Sequence, residues 1–317
     1  MTAGLIQLFI FFISLGILFL SRYCLAQSGA KILRLFKISE IKVIFICALL
    51  NFAAVEAFLA VSSVIYGEKS IALGIFLGAV IANIGLVMGL ASFFKTFPVE
   101  DDLFRREAPA MFIALFVLYF LGRDLVLSRA DGMILLLLSV FFFFLNFKDD
   151  RFTGIDESAA RPDSLAKNIN WQWATGIAVA ALAGLAAGAC LLFRSAPEIA
   201  DFLNMHKWPA ALLVFGPLYA VGRVFLSWVN PRKDFTGAAS LLTSNTCNIL
   251  FAVGLIALIE PVYLSPSVIK FEIPAIALFS AAILAVVRLG KRISRRQGIL
   301  MLGGYFIFVA ILLCHFN

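Results

Sequence analysis

The chain has 317 residues, of which 62% are hydrophobic and only 14% charged, with a mean hydropathy of +1.00 and a net charge of +7. A soluble domain carries about 25% charged residues, so this composition excludes a water-soluble globular protein. The surplus of basic residues needs no nucleic-acid partner, because Lys and Arg between membrane spans set topology and meet anionic lipid headgroups. Five cysteines, odd in number and without CxxC spacing, give neither a disulfide framework nor a metal motif and read as buried thiols.

In chain order, apolar runs long enough to cross a bilayer as helices fall at 3–21, 41–65, 70–94, 108–122, 132–147, 172–193, 207–228, 235–259, 272–288 and 298–315. They are continuous and lack the alternation of barrel strands. The first has no basic residues before it and only a weak small-residue site after it, so it reads as the first helix of the fold rather than a cleaved leader. The runs at 108–122 and 132–147 are short and require flanking residues or a thinned bilayer. The Phe-rich stretch Phe141 to Phe144 suits lipid contact or packing.

The expected fold is therefore an all-α integral membrane protein of about ten transmembrane helices. The longest hydrophilic stretch, Lys148 to Asn170, mixes acids and bases with Gly, Pro and Ser and reads as a solvated cytoplasmic linker at 148–171. It separates a five-helix half at 1–147 from another at 172–317. An odd number of helices per half makes the second copy enter from the opposite side, so the repeats are inverted. Loops after the odd-numbered helices hold 19 of the 26 Lys and Arg residues, the other loops hold 6, and Arg223 lies within a span. That bias predicts a multi-pass protein of the plasma (inner) membrane with both termini outside.

Short motifs repeat between the halves. Asn83-Ile84 and Gly89-Leu90 return as Asn248-Ile249 and Gly254-Leu255, offset by 165, and Ser128-Arg129-x-x-Gly132 returns as Ser294-Arg295-x-x-Gly298, offset by 166. Paired inverted repeats supply two interconvertible access states around a central site, which favours a transporter. Two charges lie inside spans. Glu56 costs about 2.5–3.5 kcal/mol on insertion scales and marks a functional position. Arg223, about one turn from the cytoplasmic end of its helix, either snorkels to the interface or pairs with Glu56. His206 and His315 are too far apart for a local metal motif.

These residues resemble the paired alpha-repeats of the sodium/calcium exchanger (cation/calcium antiporter) superfamily, over about 51–90 and 216–255. From Glu56, the residues Gly67, Gly74, Gly78 and Asn83 fall at the family spacings, and Thr243-Ser244-Asn245-Thr246-Cys247-Asn248 is similar to the family's Gly-Ser-Asn-x-x-Asn. Ser28-Gly29-Ala30 is similar to the loop after the first helix. The resemblance implies a secondary-active cation antiporter, not an enzyme, that needs no cofactor and has the bilayer and inorganic cations as partners. It also implies that Glu56, Asn83, Ser244 and Asn248 bind the ion or metal, with Asn245 of the matched motif as a secondary position; Arg223 is a second one on its intramembrane charge alone. Broken-helix carbonyls would assist.

The chain departs from the family at Val221, which replaces the second repeat's glutamate, and at Ala79, Phe52, Ala53, Pro217 and Leu218. Calcium takes six to eight oxygens and its affinity follows ligand charge, so one carboxylate suits a monovalent ion or a proton better. The transported ion, Ca²⁺, Na⁺, K⁺ or H⁺, stays open. Three other classes remain: a transport-inactive regulatory relative, another ten-helix inverted-repeat carrier, and an intramembrane transferase. For the last, Asp101-Asp102 and Asp149-Asp150 lack the spacing of a metal-diphosphate site.

Overall fold

The computed structural model describes residues 2–35, 40–94, 97–99, 103–148, 171–229, 238–288 and 292–316. The expected linker falls almost wholly outside this set. The chain begins with α1 (Thr2–Leu35) and α2 (Glu40–Ile65), followed by α3 (Lys69–Ala82), which runs through a π turn, Asn83–Val87, into α4 (Met88–Phe94). A second π turn, Leu103–Glu107, opens α5 (Ala108–Leu121), and α6 (Arg129–Lys148) ends the first half. The second half starts with α7 (Trp171–Phe202), then α8 (Lys207–Ala210), the π turn Ala211–Phe215 and α9 (Gly216–Val229). Next come α10 (Ala238–Cys247), the π turn Asn248–Ala252 and α11 (Val253–Ile259). The π turn Val268–Glu272 leads into α12 (Ile273–Arg288), and α13 (Arg295–Phe316) closes the chain.

Among the described residues six helices are long and apolar enough to cross a membrane: Gly4–Leu33, Lys69–Phe93, Trp171–Phe202, Ser240–Ile259, Val268–Arg288 and Arg295–Cys314. Of the other expected runs, 41–65 lies within α2 and 132–147 within α6, α5 has 14 residues and follows directly on a π turn, and the run at 207–228 passes through the π turn Ala211–Phe215. Two helices exceed their expected length. α1 continues through Arg22 to Leu35, so Ser28-Gly29-Ala30 is helical rather than a loop, and α7 continues past Arg194 and Pro197 to Phe202. No proline stands at the end of the first apolar run, so α1 propagates beyond it, and α7 extends through Pro197.

The chain is not purely helical. Four two-residue strands, β1 (Phe97–Pro98), β2 (Val126–Leu127), β3 (Val262–Tyr263) and β4 (Arg292–Ile293), pair antiparallel as β1 with β4 and β2 with β3. Each pair joins one half to the other. The π turns beginning at Asn83 and Leu103 recur at Asn248 and Val268, each 165 positions on.

Burial separates a centre from a rim. In the most apolar stretch of Lys69–Phe93, 94% of positions are buried, and in Ser240–Ile259 78%, against 39% in α1, 33% in α7 and 28% in α13. A helix apolar on every side belongs in the interior. The rim presents Phe9, Phe116, Leu137, Phe141 and Phe144 outward, while Phe142 and Phe143 pack inward. α7 turns Ala181, Leu185, Ala189, Leu192 and Ala196, at three- and four-residue steps, into the interior. It packs extensively on α1.

The repeated motifs have local explanations. Ser128 and Asp131 form a capping box: the Ser128 N–H and Oγ both donate to Asp131 Oδ2, at 2.8 and 2.7 Å. Ser294 and Gln297 do the same at the start of α13, at 2.8 and 3.1 Å to Gln297 Oε1. The glycine that follows each box lets two backbones meet. A Cβ on Gly132 would lie 2.7 Å from Gly254 O, and one on Gly298 would lie 2.9 Å from Gly89 O.

At the centre α3 crosses the second half closely. A Cβ on Gly78 would fall 2.3 Å from Leu212 O, whereas nothing lies within 4 Å of one on Gly176. Gly78→Ala is expected to destabilise by about 1–3 kcal/mol through overpacking. Gly176→Ala should be neutral or slightly stabilising. Thermal unfolding in detergent checks both, and equal melting of the two variants would contradict the close crossing.

One end of the helices is clasped by charge. The turn at Gly67, with φ of +69°, carries Glu68 and Lys69. Glu68 accepts from Lys207 at 2.5 Å, Lys69 pairs with Glu260, and the Arg194 guanidinium lies 5.8 Å from the Tyr66 ring centroid. Among the described residues no disulfide forms. Of the four cysteines whose side chains are described, Cys247 is buried, Cys24 and Cys190 are half-buried and Cys314 is exposed.

Candidate cation-binding site

The polar residues in the two central rods collect where each helix widens into a π turn. Such turns insert one residue into the helical repeat, redirect the side chains around it and are frequent at functional sites. Asn83 and Asn248 each open one, and both are buried. Their carbonyls remain inside the helix, with Asn83 O accepting from the Met88 N–H and Asn248 O from the Val253 N–H. The expected broken-helix carbonyls are therefore absent at these two positions, because the π turn widens the helix without unwinding it.

Asn83 Nδ2 donates to Asn245 Oδ1 at 2.7 Å, and Asn245 Nδ2 donates to Val80 O at 3.1 Å. This amide bridge ties the two repeats together and fixes Asn83 so that its Oδ1 has no hydrogen-bond partner. Asn248 is fully buried and neither its Oδ1 nor its Nδ2 is bonded. Leaving one buried polar group unsatisfied costs about 1–3 kcal/mol. Three such atoms, Asn83 Oδ1 and the Oδ1 and Nδ2 of Asn248, lie on residues 165 positions apart.

Glu56 lies on α2 and is fully buried. Its Oε1 accepts from the Tyr219 hydroxyl of α9 at 2.9 Å. α2 packs on the π turn of Asn248, and α3 packs there as well. Ser244 is buried one turn before Asn248. Val221, at the place equivalent to Glu56, is half-buried and packs on the apolar core. The Arg223 side chain lies outside the described set.

The structure thus places Glu56, Asn83, Ser244, Asn245 and Asn248 in the buried interior and joins Asn83 directly to Asn245. Sequence reasoning missed Tyr219, which has no signal within an apolar run. It also missed two further buried acids. Glu107, whose Oε2 accepts from Thr243 Oγ1 at 2.7 Å, and Glu272 each end a π turn. Both open the sequence Glu-x-Pro-Ala, at 107–110 and 272–275, which was available as a repeat at the same offset. Among the described residues no group of three or more His, Cys, Asp or Glu side chains is placed to hold a metal. The donor set is one carboxylate with neutral amide and hydroxyl oxygens, chemistry that suits an exchanging cation better than a tightly held divalent ion.

The family description "Sodium/calcium exchanger protein" matches residues 6–148 and 173–314. Inner membrane protein YrbG of Escherichia coli (strain K12) is 25% identical over 268 residues, covering 81% of each chain. Among solved structures, an H⁺/Ca²⁺ exchanger CAX superposes with a TM-score of 0.73 at 16% identity, covering 96% of this chain and 85% of that one. The sodium-calcium exchanger NCX_Mj gives a TM-score of 0.57 at 19% identity, covering 97% and 99%. At such identities the structural likeness establishes the fold alone.

Proposed function

This chain belongs to the sodium/calcium exchanger protein family, and on that footing we propose that it is a secondary-active cation antiporter. It works by alternating access around a midplane site made by Glu56, Asn83, Ser244 and Asn248, with Asn245 bracing Asn83 across the repeats. The observation that carries this reading is the pair of buried π-turn asparagines with open oxygens, together with a fully buried carboxyl group on α2, a helix that packs on the π turn of Asn248.

We further infer two inverted five-helix repeats, at 1–147 and 172–317. The supporting pattern is the 165-residue recurrence of the π turns together with strand pairs that exchange between halves. A twofold rotation relating the halves sends β1 onto β3 and β4 onto β2, and so carries one pair into the other. Helices α1 and α7, long and apolar at the rim, slide against the central rods to expose the site on alternate sides. Positive-inside bias puts both termini outside in the plasma (inner) membrane.

One carboxylate leaves a calcium ion with excess charge in a medium of low dielectric, so a monovalent cation or a proton is balanced better. The test is flux in reconstituted vesicles under imposed Ca²⁺, Na⁺, K⁺ and H⁺ gradients. Counter-movement of two of these ions is the expected result. The absence of flux under every gradient would favour the second reading, a transport-inactive regulatory relative, for which Val221 and the Tyr219–Glu56 hydrogen bond speak.

A further inference from the structure

Glu272 is used by none of the chemistry above, although it is fully buried within a membrane-spanning helix. Its Oε1 accepts from Ser267 Oγ at 3.2 Å, and Ser267 Oγ lies 3.0 Å from Ser265 Oγ. Ser265 is exposed and Ser267 half-buried. Three exchangeable groups therefore form a hydrogen-bonded file from the surface to the interior. The other carboxyl oxygen, Oε2, has no partner, and the Trp208 indole stands beside the group with an N–H that makes no well-aligned hydrogen bond.

The file points onward. Ser280 follows Glu272 by eight residues on one stripe of the helix, about 12 Å further along it. Its hydroxyl is fully buried and unpartnered. The same helix, α12, packs on the π turn that carries Asn83, whose Oδ1 is also open. Glu272 is thus the first of a series of buried polar atoms leading towards the central cluster.

We propose that Glu272 is a proton-binding site, loaded and unloaded through Ser267 and Ser265 at the membrane face that carries the Glu68–Lys207 ion pair, whose protonation drives cation exchange. A proton arriving at Ser265 Oγ displaces that hydroxyl's own proton to Ser267, which passes its proton to Glu272 Oε1. The carboxylate becomes a carboxylic acid, the proton leaves by the same two hydroxyls in reverse, and their rotation resets the file. No other reactant is consumed. A metal ion is disfavoured, since one carboxylate faced by an indole N–H and a hydroxyl presents too few oxygens and too many hydrogens.

Surrounding charges do not compete. Lys207 of α8 and Lys69 of α3 are held in ion pairs, Lys270 on the same turn is exposed, and Glu260 belongs to the Lys69 pair. Arg288 ends α12 and Arg295 and Arg296 open α13, at the opposite end of α12 from Glu272. The equivalent acid of the other half, Glu107, receives the Thr243 hydroxyl next to Ser244, so each half supplies one carboxyl group of this kind.

This inference rests on the antiporter reading and adds the proton to the exchanged ions. Vesicles containing the purified protein and a pH-sensitive dye are subjected to a pH gradient with Ca²⁺, Na⁺ or K⁺ as counter-cation. Tracer self-exchange of the same cation is measured at equal pH on both sides. Glu272→Gln is expected to lower proton-driven cation uptake about tenfold or more while self-exchange stays within about twofold of the parent. Ser267→Ala should lower the same mode by a smaller factor, and it decides the matter if Glu272→Gln does not fold. Unchanged proton-driven uptake, or parallel loss of both modes in protein of normal melting temperature, overturns the proposal. A parent protein that moves no protons overturns it too, while cation exchange sensitive to Glu56→Gln would leave the antiporter reading standing.

Discussion

Glu56→Gln is expected to reduce cation exchange in reconstituted vesicles to the level of protein-free controls. Glutamine keeps the size of the side chain, and its amide oxygen still accepts the Tyr219 hydroxyl, which stands 2.9 Å from Glu56 Oε1. Folding should therefore survive, with a melting temperature near that of the parent. What disappears is the single negative charge among neutral amide and hydroxyl oxygens. At an effective dielectric of about 20, a unit charge acting on a cation 4 Å away contributes about 4 kcal/mol, or roughly a thousandfold in affinity. Residual flux near the parent's rate, in protein that melts normally, would remove Glu56 from the site.

The second large effect is a gain. Val221 stands 165 positions after Glu56 and is half-buried against the core. Val221→Glu places a second carboxyl group opposite the first. Without an ion the variant should be less stable than the parent, because a charge in a span costs about 2.5–3.5 kcal/mol on insertion scales. A divalent cation then meets two carboxylates, so Ca²⁺ should stabilise the variant while changing the parent little. Stabilisation of about 2.7 kcal/mol is expected when Ca²⁺ stands a hundredfold above its dissociation constant. Thermal unfolding across a Ca²⁺ series measures it. Equal Ca²⁺ responses from parent and variant would show that position 221 does not face the ion.

The features most legible in the sequence were those repeated twice. Asn83 and Asn248 stood out because the same short pattern returned at a fixed offset, and both prove to open buried π turns. The π turns themselves leave no hydropathy signature, since one inserted residue changes the helical phase without changing composition. Hydropathy also marks apolar runs better than helix ends, so the extension of α1 to Leu35 was hidden behind Arg22 and Lys31. Glu107 and Glu272 were missed for the converse reason. Each acid lies at the edge of an apolar run, where a charge reads as the start of solvent, yet in the fold each ends a π turn and is buried. Tyr219 could be found only in three dimensions, because its meaning is a hydroxyl 163 residues from the acid it meets.

The most direct test of the account is to locate the ion. Crystals soaked in Rb⁺, and separately in Sr²⁺, should give an anomalous scattering peak enclosed by the Glu56 carboxyl group and the open oxygens of Asn83 and Asn248. A peak bound instead at the Glu68–Lys207 end of the helices, or none at concentrations at which the same protein carries out exchange, would contradict it.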